Sequence, residues 1–299
     1  MRIGIFGGTA TRTLDEVIDD ARSCEQDGFV SYTLPQIFGL DAMGMLAIIG
    51  REVPRIGLAT GVVPTYARHP ATMAQQAMTV QAASGGRFTL GIGLSHQLVI
   101  ENMLGLSFEH PLRHMREYLS VLMPLLHDGK ADFDGETISA HVPLDTADRP
   151  DTPVLIAALG PKMLELAGTV AEGTMTWMTG PTTLADYTVP TISAAAERAG
   201  RPAPRIVASL PICVTADADA ARERAAQDFQ MYGFLPSYRA MLDREGAAGP
   251  ADVALVGDAA TVTKGLDRLA DAGVTEFVAA IYGGREDRVE TRALLKSML

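Results

Sequence analysis

Cysteine, tryptophan, positive charge and long apolar runs are all scarce in this sequence, and each scarcity narrows what the chain can do. Its 299 residues include two cysteines, Cys24 and Cys213, which form no CxxC pair and no histidine-linked metal pattern. A disulfide framework is thereby set aside, and buried thiols in a reducing compartment are expected. Lys and Arg number 25 against 36 Asp and Glu, a formal net charge of −11. A general nucleic-acid binder needs a basic surface to neutralise phosphates, so that class is excluded. A local pocket can still be positive enough for a small anion. No apolar stretch approaches the ~18–20 residues that span a bilayer. The chain enters a strand-like run at once, without the charged and apolar regions of a signal peptide. The expectation is a cytoplasmic protein that acts on a small molecule and has no nucleic-acid or membrane partner.

What remains is ordinary globular composition, 47% hydrophobic and 20% charged. Apolar runs of strand length recur near 2–7, 29–34, 55–62, 87–93, 152–158, 173–179, 205–214 and 275–282. Helical patterns lie between them, as at 14–26, 42–52, 71–83 and 161–170. Strands such as VLIAAL and FVAAIY are apolar throughout, as parallel strands covered on both faces must be. Eight strand–helix alternations in a chain of this length predict an α/β fold of the (β/α)8 TIM-barrel type, with its site at the strand C-termini. Two stretches break the alternation: 129–151 after the fourth strand, read as a hairpin or extended loop, and 217–254 after the seventh, read as extra helices. Neither has the composition of a separate domain, so residues 1–299 are read as one.

Three strand ends carry chemistry. Ala157-Ala158-Leu159-Gly160-Pro161-Lys162 runs from a buried strand into a helical pattern. Gly160 permits close backbone approach, and Pro161 suits a first helical position. The amides and dipole of that helix start favour a phosphate, although a tight turn without ligand satisfies the segment equally. Leu90-Gly91-Ile92-Gly93-Leu94-Ser95-His96 ends the fourth strand. Its glycines leave room for a flat ligand, and His96 can carry a proton near neutral pH or simply bond a loop. The segment is neither a Rossmann fingerprint nor a nucleophile elbow. At the second strand end, Gln36 can orient a substrate but not act as an acid. Arg68 and His69 are read as loop supports, and His110 and His114 as structural. No histidine or carboxylate cluster points to a metal, so none is expected. Trp177, with Met175 and Met178, is placed in the core or on a pocket wall, and Arg285 past the last strand in a surface ion pair or an anion contact.

Four segments in order complete the reading: IGLATGVVPTYARHP, GGRFTLGIGLSH, AALGPKMLELAG and VGDAATVTKGLDRLADAGVTEFVAA. With them nearly the whole chain resembles the bacterial luciferase-like superfamily, and within it the coenzyme F420-dependent oxidoreductases. The resemblance implies a (β/α)8 barrel with F420 in its mouth, FMN being the alternative cofactor of a monooxygenase on the same scaffold. It implies a non-prolyl cis peptide at Gly61-Val62, in a bulge with Val63 that backs the ring beside Gly93. Phosphate contacts map to Ala158, Leu159, Gly160 and Pro161, and tail contacts to Thr179 and Gly180. It also implies a homodimer. Sugar-phosphate-oxidising relatives carry a histidine and a glutamate where this chain has Gln36 and His96, so their substrate does not transfer. The expected activity is hydride transfer between the deazaflavin C5 and a small organic substrate, an activated C=C or a carbonyl/alcohol pair. His96 is the candidate proton donor or acceptor and Gln36 the orienting residue. A catalytically silent cofactor-binding protein is the remaining alternative.

Overall fold

Each of the eight strand segments read from the sequence carries a strand in the computed structural model, which describes residues 1–147 and 149–299. The first half runs β1 (Arg2–Phe6), α1 (Leu14–Asp27), β2 (Ser31–Leu34), α2 (Ala42–Glu52), β3 (Gly57–Thr60), β4 (Val63–Pro64), α3 (Pro70–Ser84), β5 (Phe88–Gly93) and α4 (Pro111–His127). There follow β6 (Lys130–Asp134), β7 (Ser139–Pro143), β8 (Val154–Ile156), α5 (Pro161–Val170), β9 (Gly173–Trp177), α6 (Pro181–Thr183) and α7 (Val189–Arg198). The last third holds β10 (Arg205–Ser209), β11 (Pro211–Val214), α8 (Ala218–Asp228), α9 (Gln230–Phe234), α10 (Pro236–Glu245), β12 (Leu255–Gly257), α11 (Ala259–Asp271), β13 (Glu276–Ile281) and α12 (Arg285–Ser297).

The main sheet is ordered β1-β2-β3-β5-β8-β9-β10-β13, and β1 also pairs with β13, which closes the order on itself. Registers such as Ile3↔Phe277 and Ile5↔Tyr32 are parallel. This is the expected (β/α)8 TIM barrel. Its strands are apolar because both faces are covered: every residue of β8 is buried. Side chains punctuate the helices. Asp41 accepts from Gly44 N at 2.7 Å to start α2, and Asp258 accepts from Thr261 N at 2.8 Å to start α11.

The insertion at 129–151 is the antiparallel hairpin β6–β7, within which Asp148 lies outside the described residues. That at 217–254 holds α8, α9 and α10. The sequence reading missed two details. The run 205–214 divides at Leu210 into β10 and β11, and β12 adds a further parallel strand against β11.

Contacts group the chain into two compact units. The first comprises Met1–Gly7, Ser23–Thr33 and Ala158–Leu299. In it the buried Glu276 of β13 accepts from Arg2 at 2.8 Å and from Ser31 Oγ at 2.6 Å, tying three strands together. A buried carboxylate is tolerated only when so satisfied. The second unit comprises Gly8–Arg22 and Leu34–Ala157. In it Glu117 of α4 accepts the amides of Glu136, Thr137 and Ile138 at 3.1, 2.7 and 3.1 Å and pins the hairpin turn to the helix.

Candidate active site

In the second unit, the link between β3 and β4 contains the cis peptide Gly61-Val62. Gly61 N donates to Leu34 O at 2.9 Å, and Gln36 N donates to Val62 O at 3.3 Å. The neighbouring strand makes room for this link. A Cβ on Gly91 would lie 2.0 Å from Thr60 O, and one on Gly93 would lie 2.8 Å from Val62 Cγ2. The Cβ side of each glycine is therefore taken by the bulge. Thr60 Oγ1 locks the arrangement, donating to Gly91 O and accepting from Gly91 N, each at 2.8 Å.

His96 follows Ser95, whose φ of +62° turns the chain away from β5. Its carbonyl accepts from Val99 N and Ile100 N, both at 2.9 Å, at the start of the π-helical turn Leu98–Met103. The ring is half-buried, and that burial lowers its pKa below the usual 6.5. It is neutral at pH 7 and thus prepared to accept a proton. Gln36 is less free than the sequence implies. Its Oε1 accepts from Ala42 N at 2.8 Å and its Nε2 donates to Ile37 O at 3.4 Å, so the carboxamide shapes the β2–α2 loop. His69 Nδ1 accepts from Ala71 N at 3.2 Å at the start of α3, and Arg68 pairs with Asp41.

Sequence reasoning missed a second cluster in this unit. Tyr66 stacks on His114, with centroids 3.9 Å apart and planes at 4°, while His114 Nε2 lies 3.0 Å from Thr65 Oγ1. Both border a cavity of about 430 Å³ shared with Arg68, His110 and Tyr118. Burial lowers the His114 pKa to about 4. Burial, with the nearby Glu101 charge, raises that of Tyr66 to about 12. The pair is uncharged at neutral pH.

In the first unit two helix starts that follow barrel strands are built on the same dipeptide. At Gly160-Pro161, α5 begins with no side-chain cap. Met163 N and Leu164 N turn back to Gly160 O at 3.1 and 2.9 Å, and nothing lies within 4 Å of where a Gly160 Cβ would be. Gly160, Pro161 and Lys162 are all exposed. At Gly180-Pro181 the seat is filled. Glu245 of α10 accepts from Thr182 N at 3.1 Å and from Thr183 N at 2.7 Å, and a Gly180 Cβ would lie 2.3 Å from its Cδ. Thr179 is buried, its hydroxyl donating to Trp177 O at 3.4 Å. Nothing local announces Glu245, which is more than sixty residues away in the chain. Arg285 is exposed in the first turn of α12.

An uncapped helix start after a barrel strand, and a bulge braced by glycines on its neighbour, accord with a match of residues 1–276 to the family model of the luciferase-like monooxygenases. The chain belongs to that family. A 5,10-methylenetetrahydromethanopterin reductase of Methanolobus tindarius is 31% identical over 237 residues, covering 78% of this chain and 72% of that protein. A Mycobacterium tuberculosis protein provisionally named a coenzyme F420-dependent oxidoreductase is 28% identical over 271 residues, covering 85% and 75%. The solved coenzyme F420-dependent tetrahydromethanopterin reductase of Methanopyrus kandleri superposes with a TM-score of 0.81 at 21% identity, over 99% of this chain and 96% of that one. In this luciferase-like chain, the bulge, His96 and Gln36 lie in the second unit and both helix starts lie in the first.

Proposed function

We propose that this protein is a coenzyme F420-dependent oxidoreductase that moves a hydride between the deazaflavin and a small organic substrate, a carbonyl/alcohol pair or an activated C=C. The observation that carries the reading is the open, uncapped start of α5 in a luciferase-like barrel. It is joined by the F420 names of similar proteins. The residues fit the cofactor. The amides of a helix start suit a phosphate, and the exposed Gly160 lets one approach the backbone. Ala158, Leu159, Gly160 and Pro161 are assigned to the phosphate. Gly61, Val62 and Val63, of which Val62 packs against Gly93, are assigned to the back of the ring. Thr179 and Gly180 flank the tail without serving as an anion seat, because Glu245 already holds the amides that follow them.

When bound, the cofactor supplies the hydride acceptor or donor at C5. The chain supplies position, exclusion of water and a proton path. His96, neutral at pH 7, takes the hydroxyl proton of an alcohol as hydride leaves its carbon, and returns it to the oxygen or carbon acceptor in the reverse direction. Gln36 acts by holding the β2–α2 loop in place.

Equilibrium dialysis of the purified protein against F420 and, separately, FMN tests the reading. Retention of F420 with little FMN is expected, and preference for FMN would move the chain to the oxygen-using monooxygenases. His96→Ala should keep F420 affinity and lose about 10²–10⁴-fold in turnover. Near-normal turnover removes His96 from the mechanism. Alcohol oxidation should weaken as pH falls below the lowered His96 pKa, because protonation there removes the base.

A further inference from the structure

Several large rings of this protein are sealed in its core: Tyr32, Phe88, Tyr118 and Phe277 are fully buried. A second set in the first unit is different. Phe6 ends β1, Trp177 ends β9, and Phe229 and Tyr232 come from the α8–α9 insertion; each remains partly exposed. Phe6 and Trp177 stack, with centroids 5.7 Å apart and planes at 21°. In the sheet order β10 and β13 lie between the strands that carry them, so the stacked pair bridges over two strand ends. Phe229 and Tyr232 meet Trp177 edge-on, each at 5.8 Å. Tyr282, just past β13, supports Phe229 at 5.8 Å and donates its hydroxyl to Ala221 O at 3.1 Å.

Other contacts hold this wall in place. Met178, the residue after Trp177, adopts a left-handed φ of +55°, a conformation uncommon for a side chain of that kind. The insertion is fastened at α10 by Glu245 on the α6 amides, by Thr183 Oγ1 donating to Met241 O at 3.3 Å, and by Arg244 4.0 Å from the Tyr187 ring centroid. Between these anchors, α9 buries no residue of its own.

We propose that the Phe6–Trp177–Phe229–Tyr232 wall is the acceptor-binding surface and selects flat, conjugated acceptors over puckered, saturated ones. The proposal rests on the hydride-transfer reading above. Three rings gathered on Trp177 at a strand C-terminus, all four left partly open, present a face whose ring quadrupoles favour a second flat π-system by stacking or edge contact. A saturated ring of equal size gains only area from the same surface. Trp177, at the centre of the set, is the specificity-determining residue.

The test is equilibrium dialysis of 1,4-naphthoquinone against 2-decalone, a flat and a puckered version of one bicyclic skeleton, on the full chain with and without F420. Wild type should favour the quinone by about 3- to 10-fold over the ketone. Trp177→Leu should abolish that preference while leaving F420 affinity unchanged. Tyr232→Leu, on the exposed α9, should reduce it less and carries the test if Trp177→Leu does not fold. Equal affinities in wild type, or a preference that survives in a folded Trp177→Leu, would overturn the proposal. So would a Trp177→Leu protein whose F420 affinity falls while its quinone preference persists, since the wall would then belong to the cofactor. Failure of wild type to bind F420 strikes the oxidoreductase reading alone, because the wall is also measured without cofactor.

Discussion

Two Gly-Pro dipeptides stand twenty residues apart, each between a barrel strand and a helix, and they have opposite fates. Gly160-Pro161 is exposed and uncapped, with open space where a side chain would stand. Gly180 is buried against Glu245, whose carboxylate takes the Thr182 and Thr183 amides. Similar local chemistry, a helix start with its dipole, thus holds an internal carboxylate in one place and carries no side-chain cap in the other. A dipeptide announces that a seat for negative charge exists. Only the fold says whether the protein has filled it.

The strongest way to break this contrast is to fill the open seat. Gly160 has extended backbone, φ −81° and ψ 157°, and free space beyond its Cα, so Gly160→Asp fits there and can cap α5 itself. The variant should be as stable as wild type or better by a few tenths of a kcal/mol, about what an Asp cap adds over Gly. Its F420 affinity should drop about 100-fold, because a phosphate would lose charge-assisted hydrogen bonds and meet a like charge. Unchanged F420 affinity by dialysis would put the phosphate elsewhere.

A smaller effect comes from Glu117, another carboxylate on backbone amides, which holds a hairpin turn where Glu245 holds a helix start. Burial would raise its pKa, but the hydroxyl of Thr137 and the amides of Thr137, Glu136 and Ile138 outweigh that and lower it to about 2, from 4.5. The folded value lies below the unfolded one, so this contribution is complete above pH 4.5 and is lost as pH falls towards 2. Glu117→Gln should cost about 2 kcal/mol at pH 7, in the range of hydrogen bonds to a charged group. It should also flatten the acid limb of stability. Urea midpoints at pH 7 and pH 3 read both, and a variant with the wild-type acid slope would show that the turn does not depend on the charge.

Much of this was legible in the residues. All eight barrel strands and the bounds of α2 and α5 follow from apolar runs and helical spacing, because parallel strands and amphipathic helices write their burial into local sequence. The cis link at Gly61-Val62 was reached through family resemblance alone. The break at Leu210 and the strand β12 were not legible, since a kinked strand and a short edge strand differ little in pattern from a continuous run and a loop. Side-chain partners were the least accessible. Gln36 looks like a free orienter until Ala42 N is found on it, and the Cβ side of Gly93 looks open until Val62 is found there. Each of these is a contact whose partner must be placed by the fold before it can be named.

Emptying the filled seat gives the smallest effect and the sharpest comparison. Glu245→Ala removes both acceptors from the start of α6, while Thr183 Oγ1 and Met241 O still link that turn to α10. The loss resembles that of an N-cap and should cost about 1 kcal/mol, seen as a lower urea midpoint with an unchanged slope. F420 affinity should stay within about twofold, a change of less than half a kcal/mol, if the phosphate sits on α5. The vacated amides of Thr182 and Thr183 would then form a second open seat, and weak phosphate competition appearing only in this variant would show that the two starts differ in occupancy and not in kind. A large fall in F420 affinity with stability preserved would mean that Glu245 serves the cofactor, and that the two Gly-Pro turns belong to one function after all.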